Sequence, residues 1–382
     1  MSPEKAVSIE DLRHAARRRL PRIIYDYIEG GAEDENAIER NPRRFRELLL
    51  TPRYLRDVSA PDASSELLGQ RFLLPVGVAP TGMSDITRRG ADLDLARAAY
   101  ATGAPYILSG ASNASIEAVA GAHPGAWYQI YLPRTGEILR DLLRRVADAG
   151  LPTLVVTVDV PAHSKRERNI RQGWVRPYNP TWMAKLEALT HPAWLISYLA
   201  NGLPYLENWQ SYAQPGASAM DVANLYAAEV PSVQTWDTIR EIRELWSGKL
   251  VLKGILHPED ARLAIGVGVD GLIVSNHGGR QFDRGIATID AFPAIRHACG
   301  DKITLMLDSG ITRGADIVAA FCLGASMTFV GRATLYGAAA FGQAGATRAL
   351  EILNKEVMLA LAQVGCPAIR DLDESYLAVS GS

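Results

Sequence analysis

Short apolar runs return along the chain at a regular beat: 75–79, 105–108, 126–131, 153–158, 249–253, 271–275, 303–308 and 326–330. They are of the kind that makes fully buried parallel strands. Helical patterns lie between them, among them 92–102, 136–149, 235–246, 258–266 and 313–323. Strands alternating with helices predict a parallel sheet with crossover helices. Eight such units predict an α/β chain closed into a (β/α)8 TIM barrel rather than an open doubly wound sheet.

An N-terminal helical segment precedes the barrel. Ser8-Ile9-Glu10-Asp11 reads as a helix start, with Ser8 as N-cap and Asp11 reaching back. Arg13, Arg17, Arg18, Arg19 and Arg22 follow and read as a solvated face, because acidic residues soon balance them. The run Ile23–Ile28, then Gly30-Gly31, closes this unit.

The beat breaks once, with about ninety residues between the fourth strand and the fifth. That is far more than an ordinary loop and helix require. Residues 165–232 of this gap are rich in Trp, Tyr and Pro and show no clean period. They read as an excursion from the catalytic face, leaving one domain over 1–382. Gly266-Val267-Gly268-Val269-Asp270-Gly271 spells a dinucleotide fingerprint, but it follows a helix and opens a strand, the reverse of what that site requires.

With 48% hydrophobic residues and a formal charge of −2, the chain can bury a large core and lacks the basic excess of a nucleic-acid binder. Cys299, Cys322 and Cys366 are too scattered for a disulfide framework or a zinc site, which implies a reducing, cytoplasmic setting. The first residues show no apolar secretory core, and no run approaches the length of a membrane span.

Barrel enzymes build their sites at the C-terminal ends of strands. Those positions hold Pro80-Thr81-Gly82, Ser109, Gln129 with Tyr131, Thr157 with Asp159, Lys253, Ser275 with His277 and Arg280, Asp308, and Gly331-Arg332. A base, two carboxylates, two arginines and a lysine on one rim exceed what chance places after strands. Ser309-Gly310-Ile311-Thr312-Arg313-Gly314 and Gly331-Arg332 form the phosphate site expected after strands seven and eight.

These motifs resemble the FMN-dependent L-2-hydroxy acid oxidase/dehydrogenase family, which includes glycolate oxidase, flavocytochrome b2 and the L-lactate and L-mandelate dehydrogenases. The likeness runs from about residue 8 to residue 377 and is most specific in Ser275-Asn276-His277-Gly278-Gly279-Arg280-Gln281, Thr157-Val158-Asp159-Val160-Pro161, Gln129-Ile130-Tyr131 and Leu252-Lys253-Gly254. Leu108-Ser109-Gly110-Ala111-Ser112-Asn113 and Gly331–Gly337 look nearest the mandelate dehydrogenase branch. The resemblance implies His277 as active-site base and Asp159 as its partner. It implies Arg280, Tyr27 and Arg166 as carboxylate anchors, and Tyr131 as the hydroxyl on the substrate oxygen. Lys253 would lie near the flavin pyrimidine edge. Pro80, Thr81, Gly82, Ser109, Gln129, Thr157, Ser275, Asp308, Ser309, Gly310, Arg313, Gly331 and Arg332 would complete the FMN site. Homotetramers are the family's habit.

Two departures stand out. Thr312 occupies the position where relatives usually carry an arginine, which shifts phosphate charge toward Arg332. Ala111 replaces the Trp of glycolate oxidases, and with Gly82 it implies room for a larger side chain. The resemblance implies FMN-dependent oxidation of an L-2-hydroxy acid, mandelate-like or lactate, to the 2-keto acid with electrons passed to a quinone-type acceptor; the alternatives are an oxidase making hydrogen peroxide, a flavin-free barrel isomerase or synthase, and a non-catalytic flavin-binding module. Trp174, Trp182, Trp194 and Trp209, with Tyr178, Tyr198, Tyr205 and Tyr212, crowd the excursion. Such residues favour a membrane interface, here the inner face, or are buried as a lid or subunit contact.

Overall fold

A computed structural model describes residues 2–174, 179–230 and 232–378. Eight parallel strands form the central sheet: β1 (Val76–Val78), β2 (Ile107–Leu108), β3 (Trp127–Ile130), β4 (Thr153–Thr157), β5 (Lys249–Lys253), β6 (Gly271–Val274), β7 (Thr304–Leu307) and β8 (Met327–Val330). Neighbours pair in order from β2 through β8, and β8 pairs back onto β1. A bridge between Val78 and Tyr106, with the Val78 amide donating to Pro105 O at 2.8 Å, closes the barrel.

Strand residues alternate faces, and the packing divides accordingly. Ile107, Trp127, Val155, Val251, Ile273, Met306 and Phe329 share one core, inside the barrel. Their alternates, including Leu108, Tyr128, Leu154, Leu252, Leu272 and Leu307, join a second core beneath the helices. An antiparallel hairpin, Ser65–Leu67 with Gln70–Phe72, inserts Leu67 and Phe72 into the interior core. Trp127 Nε1 donates to Gln70 Oε1 at 2.9 Å, which satisfies the indole of a fully buried tryptophan. With its interior filled, the barrel is a plugged scaffold whose opposite mouth carries the polar groups.

Helix α1 (Ile9–Arg19) starts on the expected Ser8–Asp11 capping box. Pro21 then breaks the chain, and α2 (Arg22–Glu29) turns away. Because of that turn, Arg19 does not belong to a solvated face: its Nε is buried with no partner among the described residues. Helix α3 (Asn36–Glu47) packs on the loop after β6. The glycine-rich run Gly266–Gly271 indeed ends the helix Pro258–Val267 and opens β6.

The excursion is more helical than its sequence suggests. It contains Glu167–Arg171, Trp182–Ala188, Pro192–Asn201, Glu207–Gln210 and Ala219–Glu229, mostly too short to display a period. Its large apolar residues divide between two fates. Trp209 is buried and donates to Gly110 O at 2.9 Å, and Trp194 donates to Ile86 O at 2.7 Å. Trp182, Met183, Leu186, Leu189, Ile196 and Leu199 are instead 54–72% exposed. Tyr178 lies outside the described residues. Among the described residues, no helix is long and apolar enough to cross a membrane.

Candidate active site

Two residues beyond the interior apolar layer, the same strand faces turn polar. Trp127 leads to Gln129, Val155 to Thr157, Val251 to Lys253, Ile273 to Ser275 and Met306 to Asp308, all five buried. Another step of two brings Tyr131, Asp159 and His277 onto the rim. Their convergence is a consequence of strand periodicity combined with the barrel's closure.

His277 Nδ1 lies 3.0 Å from Asp159 Oδ1, and His277 Nε2 lies 3.4 Å from the Tyr131 hydroxyl. Burial pushes the imidazole below its ordinary pKa, while the Asp159 carboxylate pulls the other way. Burial would raise Asp159 too, but His277 and Lys253 outweigh it and hold the carboxylate below its usual range. Burial raises the Tyr131 phenol, which therefore stays a hydrogen-bond donor at neutral pH. An unprotonated nitrogen thus faces the mouth, and a carboxylate behind it favours the imidazolium.

The loop that presents His277 is held in a left-handed conformation, with φ of +58° at His277, +64° at Gly278 and +75° at Gly279. Such a backbone costs about 1–3 kcal/mol at a non-glycine residue and persists only when its surroundings over-determine it. The His277 amide donates to Ser275 Oγ at 3.1 Å, and the Gly278 amide to Ser309 Oγ at 2.9 Å. Asn276 and Asn41 exchange amide hydrogen bonds at 2.7 and 2.8 Å, tying α3 to the loop. A Cβ at Gly279 would stand 2.7 Å from Ile38 N, so only glycine allows α3 that close. Asn41 was invisible in the sequence, because a single buried amide in a helix leaves no pattern.

Three arginines gather beside this loop. The Arg280 Nη1 donates to Tyr27 O, Ile28 O and Gly30 O at 2.9, 3.2 and 2.8 Å. Arg332 reaches Ile28 O at 3.1 Å and Gly278 O at 2.9 Å, and Arg166 reaches Ser164 Oγ at 3.0 Å. Burial, then Arg166 and Arg332, disfavour the charge on Arg280. A partly buried cluster of like charges supplies a strong field for an anion. The Tyr27 ring packs 5.4 Å from the Arg280 guanidinium, and its hydroxyl donates to Gly82 O at 3.2 Å. Gly82 faces Ala111 closely: a Cβ on Gly82 would meet Ala111 Cβ at 2.9 Å.

Lys253 Nζ is 2.7 Å from both Ser275 Oγ and Asp308 Oδ2, a buried pair whose disruption would cost on the order of 3–5 kcal/mol. The Gln129 Nε2 and Thr157 Oγ1 are buried with no partner among the described residues. Unmet polar atoms on one floor fit the rim of a polar heterocycle, as a flavin would supply. Ser109 Oγ lies 3.3 Å from Gln129 Oε1, and Thr81 Oγ1 lies 3.0 Å from Ser84 Oγ at the same mouth.

The loop after β7 departs from expectation. The Thr312 and Arg313 amides donate to Asp316 Oδ2 at 2.8 and 2.9 Å, and the Gly314 amide to Glu356 Oε2 at 2.8 Å. Arg313 itself is exposed and pairs with Glu356 at 2.7 Å. These groups are satisfied within the protein. Gly331 opens the helix Arg332–Phe341 without a side-chain cap. Such a terminus suits a phosphate.

Residues 16–379 match the FMN-dependent dehydrogenase family. The L-lactate dehydrogenase of Caulobacter vibrioides (strain NA1000 / CB15N) is 40% identical over 374 residues, covering 97% of each chain. The (S)-mandelate dehydrogenase of Pseudomonas putida is 38% identical over 375 residues, covering 98% of this chain and 94% of its own. Among solved structures, a monotopic membrane protein (S)-mandelate dehydrogenase aligns with a TM-score of 0.94 at 37% identity, over 98% of this chain and 99% of the other. A mandelate oxidase aligns with a TM-score of 0.79 at 32% identity, over 95% and 96%. The chain belongs to the FMN-dependent dehydrogenase family and is an FMN-dependent oxidoreductase.

Proposed function

We propose that the protein oxidises an L-2-hydroxy acid, lactate or a bulkier mandelate-like one, to the 2-keto acid and delivers the electrons to a membrane quinone. The observation that carries this reading is the His277–Asp159 pair beside the arginine cluster. Arg280, with Tyr27 and Arg166, grips the substrate carboxylate and fixes its C2. Tyr131 donates to the hydroxyl oxygen. His277 takes the proton that leaves the substrate, and Asp159 stabilises the resulting imidazolium. Bound FMN supplies the two-electron acceptor for C2. Thr81, Ser109, Gln129, Thr157, Ser275 and Lys253 would hold its ring, with Ser309, Gly310, Gly331 and Arg332 around its phosphate. Lys253 would counter the charge that gathers there on reduction.

The purified protein is expected to be yellow and to bleach anaerobically with its hydroxy acid. Colour returning with a short-chain quinone supports the dehydrogenase; colour returning equally fast with air alone supports an oxidase, the reading favoured by the likeness to mandelate oxidase. A yellow protein that no 2-hydroxy acid bleaches would refute both.

Ala111→Trp would put an indole where Ala111 now packs against Gly82, the pair that the sequence comparison with glycolate oxidases singles out. A group lost or gained in such a pocket shifts selectivity roughly 10–200-fold, so kcat/KM for mandelate should fall by that order relative to lactate. Unchanged ratios would mean that Ala111 only packs beneath its loop.

The exposed apolar residues of Trp182–Ala188 and Pro192–Asn201 support peripheral docking on a membrane, on the cytoplasmic face of the inner membrane in our reading. Arg18, Arg22 and Lys185 are also exposed and suit anionic headgroups. Replacing Leu186 and Ile196 together by Asp should abolish co-sedimentation with anionic liposomes while dye-linked turnover persists. Retained sedimentation would place the contact elsewhere.

A further inference from the structure

A cavity of about 370 Å3 lies behind the exposed helices, and none of His277, Asp159, Tyr131 and Arg280 lines it. Ala184, Ala188, Trp194, Leu195 and Tyr198 line it from the excursion, Ile23 and Ile24 from α2, and Ile86 from the loop after β1. The two excursion helices therefore have two distinct faces. Trp182, Met183, Leu186, Leu189, Ile196 and Leu199 turn outward, and the small and aromatic residues turn to the cavity. Trp194 and Tyr198 stack on each other at 5.1 Å with only 8° between their rings, and both line the cavity with aromatic surface.

Cations and a carboxyl interrupt the apolar lining. Arg19 and Arg88 both reach the cavity, and the Arg19 Nε is buried without a hydrogen-bond partner among the described residues. Asp85 lines the same space, and burial raises its pKa, so it holds a proton more readily than a surface carboxylate. The cavity also shares a wall with the active site. Trp174 lines it and packs edge-on against Tyr27 at 6.2 Å, and Tyr27 donates to Gly82 O beside the expected flavin.

We propose that this cavity is the binding site for the acceptor quinone, with the ring against Trp194 and Tyr198 and one carbonyl oxygen on Arg19 Nε. The proposal rests on the quinone-linked reading above. A lipid-soluble acceptor would enter from the membrane side of the excursion and lie one aromatic pair from the flavin pocket. The balance closes: oxidation removes two electrons and two protons from the hydroxy acid, and the quinone takes up two of each to become the quinol. Arg19 suits the growing charge on a reduced oxygen, and Asp85 lines the same cavity. An acyl chain would find apolar walls here too, but a phospholipid makes no use of the shared wall at Trp174 and Tyr27.

The test uses the holoenzyme with decylubiquinone and an azido-ubiquinone photolabel. Ala188→Phe fills the cavity without touching an active-site residue. It should raise the KM for decylubiquinone at least tenfold and remove the photolabel from the Trp194 and Arg19 peptides. The rate of anaerobic flavin bleaching reports on the separate hydroxy-acid half-reaction and should hold. If Ala188→Phe does not fold, Arg19→Gln decides, with the same expected loss of quinone affinity. Label on other peptides, or an unchanged quinone KM in a variant that bleaches normally, overturns the site but not the function. Wild-type enzyme that bleaches yet never reoxidises with quinone overturns the acceptor reading, and the site with it. Co-purified phospholipid that decylubiquinone fails to displace assigns the cavity to lipid and also overturns the proposal.

Discussion

His277→Asn should bind flavin and a 2-keto acid product normally while turnover falls by roughly 10²–10⁴-fold, the usual cost of losing a general base. Asparagine retains a polar side chain near Asp159 but cannot accept a proton. The measurement is the rate of anaerobic flavin bleaching, which isolates the step that uses the base. Reduction at near wild-type rate would remove His277 from the mechanism. The pH profile adds a second readout. Burial holds the imidazole below its ordinary pKa, so it is neutral and competent at pH 7. For wild-type enzyme kcat/KM should fall as pH drops through that lowered pKa, because the protonated ring cannot act as base. Asp159→Asn removes the charge that favours the imidazolium, so the acidic shoulder should move lower still. The plateau should fall as well, since a weaker base abstracts a proton more slowly. A shoulder that moved upward would contradict the assigned partnership.

Much of the scaffold was legible because its physics is local and periodic. Eight short apolar runs sufficed for the barrel, and a step of two residues carried each run from the packed interior to the polar rim. Gln129 with Tyr131, Thr157 with Asp159, and Ser275 with His277 follow from that one rule. What the sequence hid is non-local. Arg313 has the composition of a phosphate ligand, yet Glu356, forty-three residues further on, draws its guanidinium outward. Arg19 sits among solvated arginines in sequence, but the break at Pro21 turns it toward a cavity that exists only once the excursion folds over α2. Asn41 serves the His277 loop from a helix more than two hundred residues away. The excursion's helices run only four to eleven residues, too few turns for an apolar stripe to rise above the noise.

Arg280→Lys should lower kcat/KM by about 10²–10³-fold while keeping the charge. The guanidinium has two duties that an ammonium cannot combine. Its Nη1 holds the Tyr27, Ile28 and Gly30 carbonyls at the C-terminal end of α2, and its planar fork suits a carboxylate bidentately. Lysine offers one compact charge with three donors, so meeting the carbonyls leaves little directed toward the substrate. Disrupting a buried, hydrogen-bonded charge contact costs about 2–5 kcal/mol, consistent with the expected loss. Because the same group anchors and aligns, KM and the flavin reduction rate should worsen together, and the affinity for a 2-keto acid, read from the flavin spectrum, should drop in parallel. Thermal stability gives the control, since loosening α2 alone would lower Tm. A lower Tm with unchanged kcat/KM would make Arg280 a clamp for α2 and leave the carboxylate to Arg166 and Tyr27.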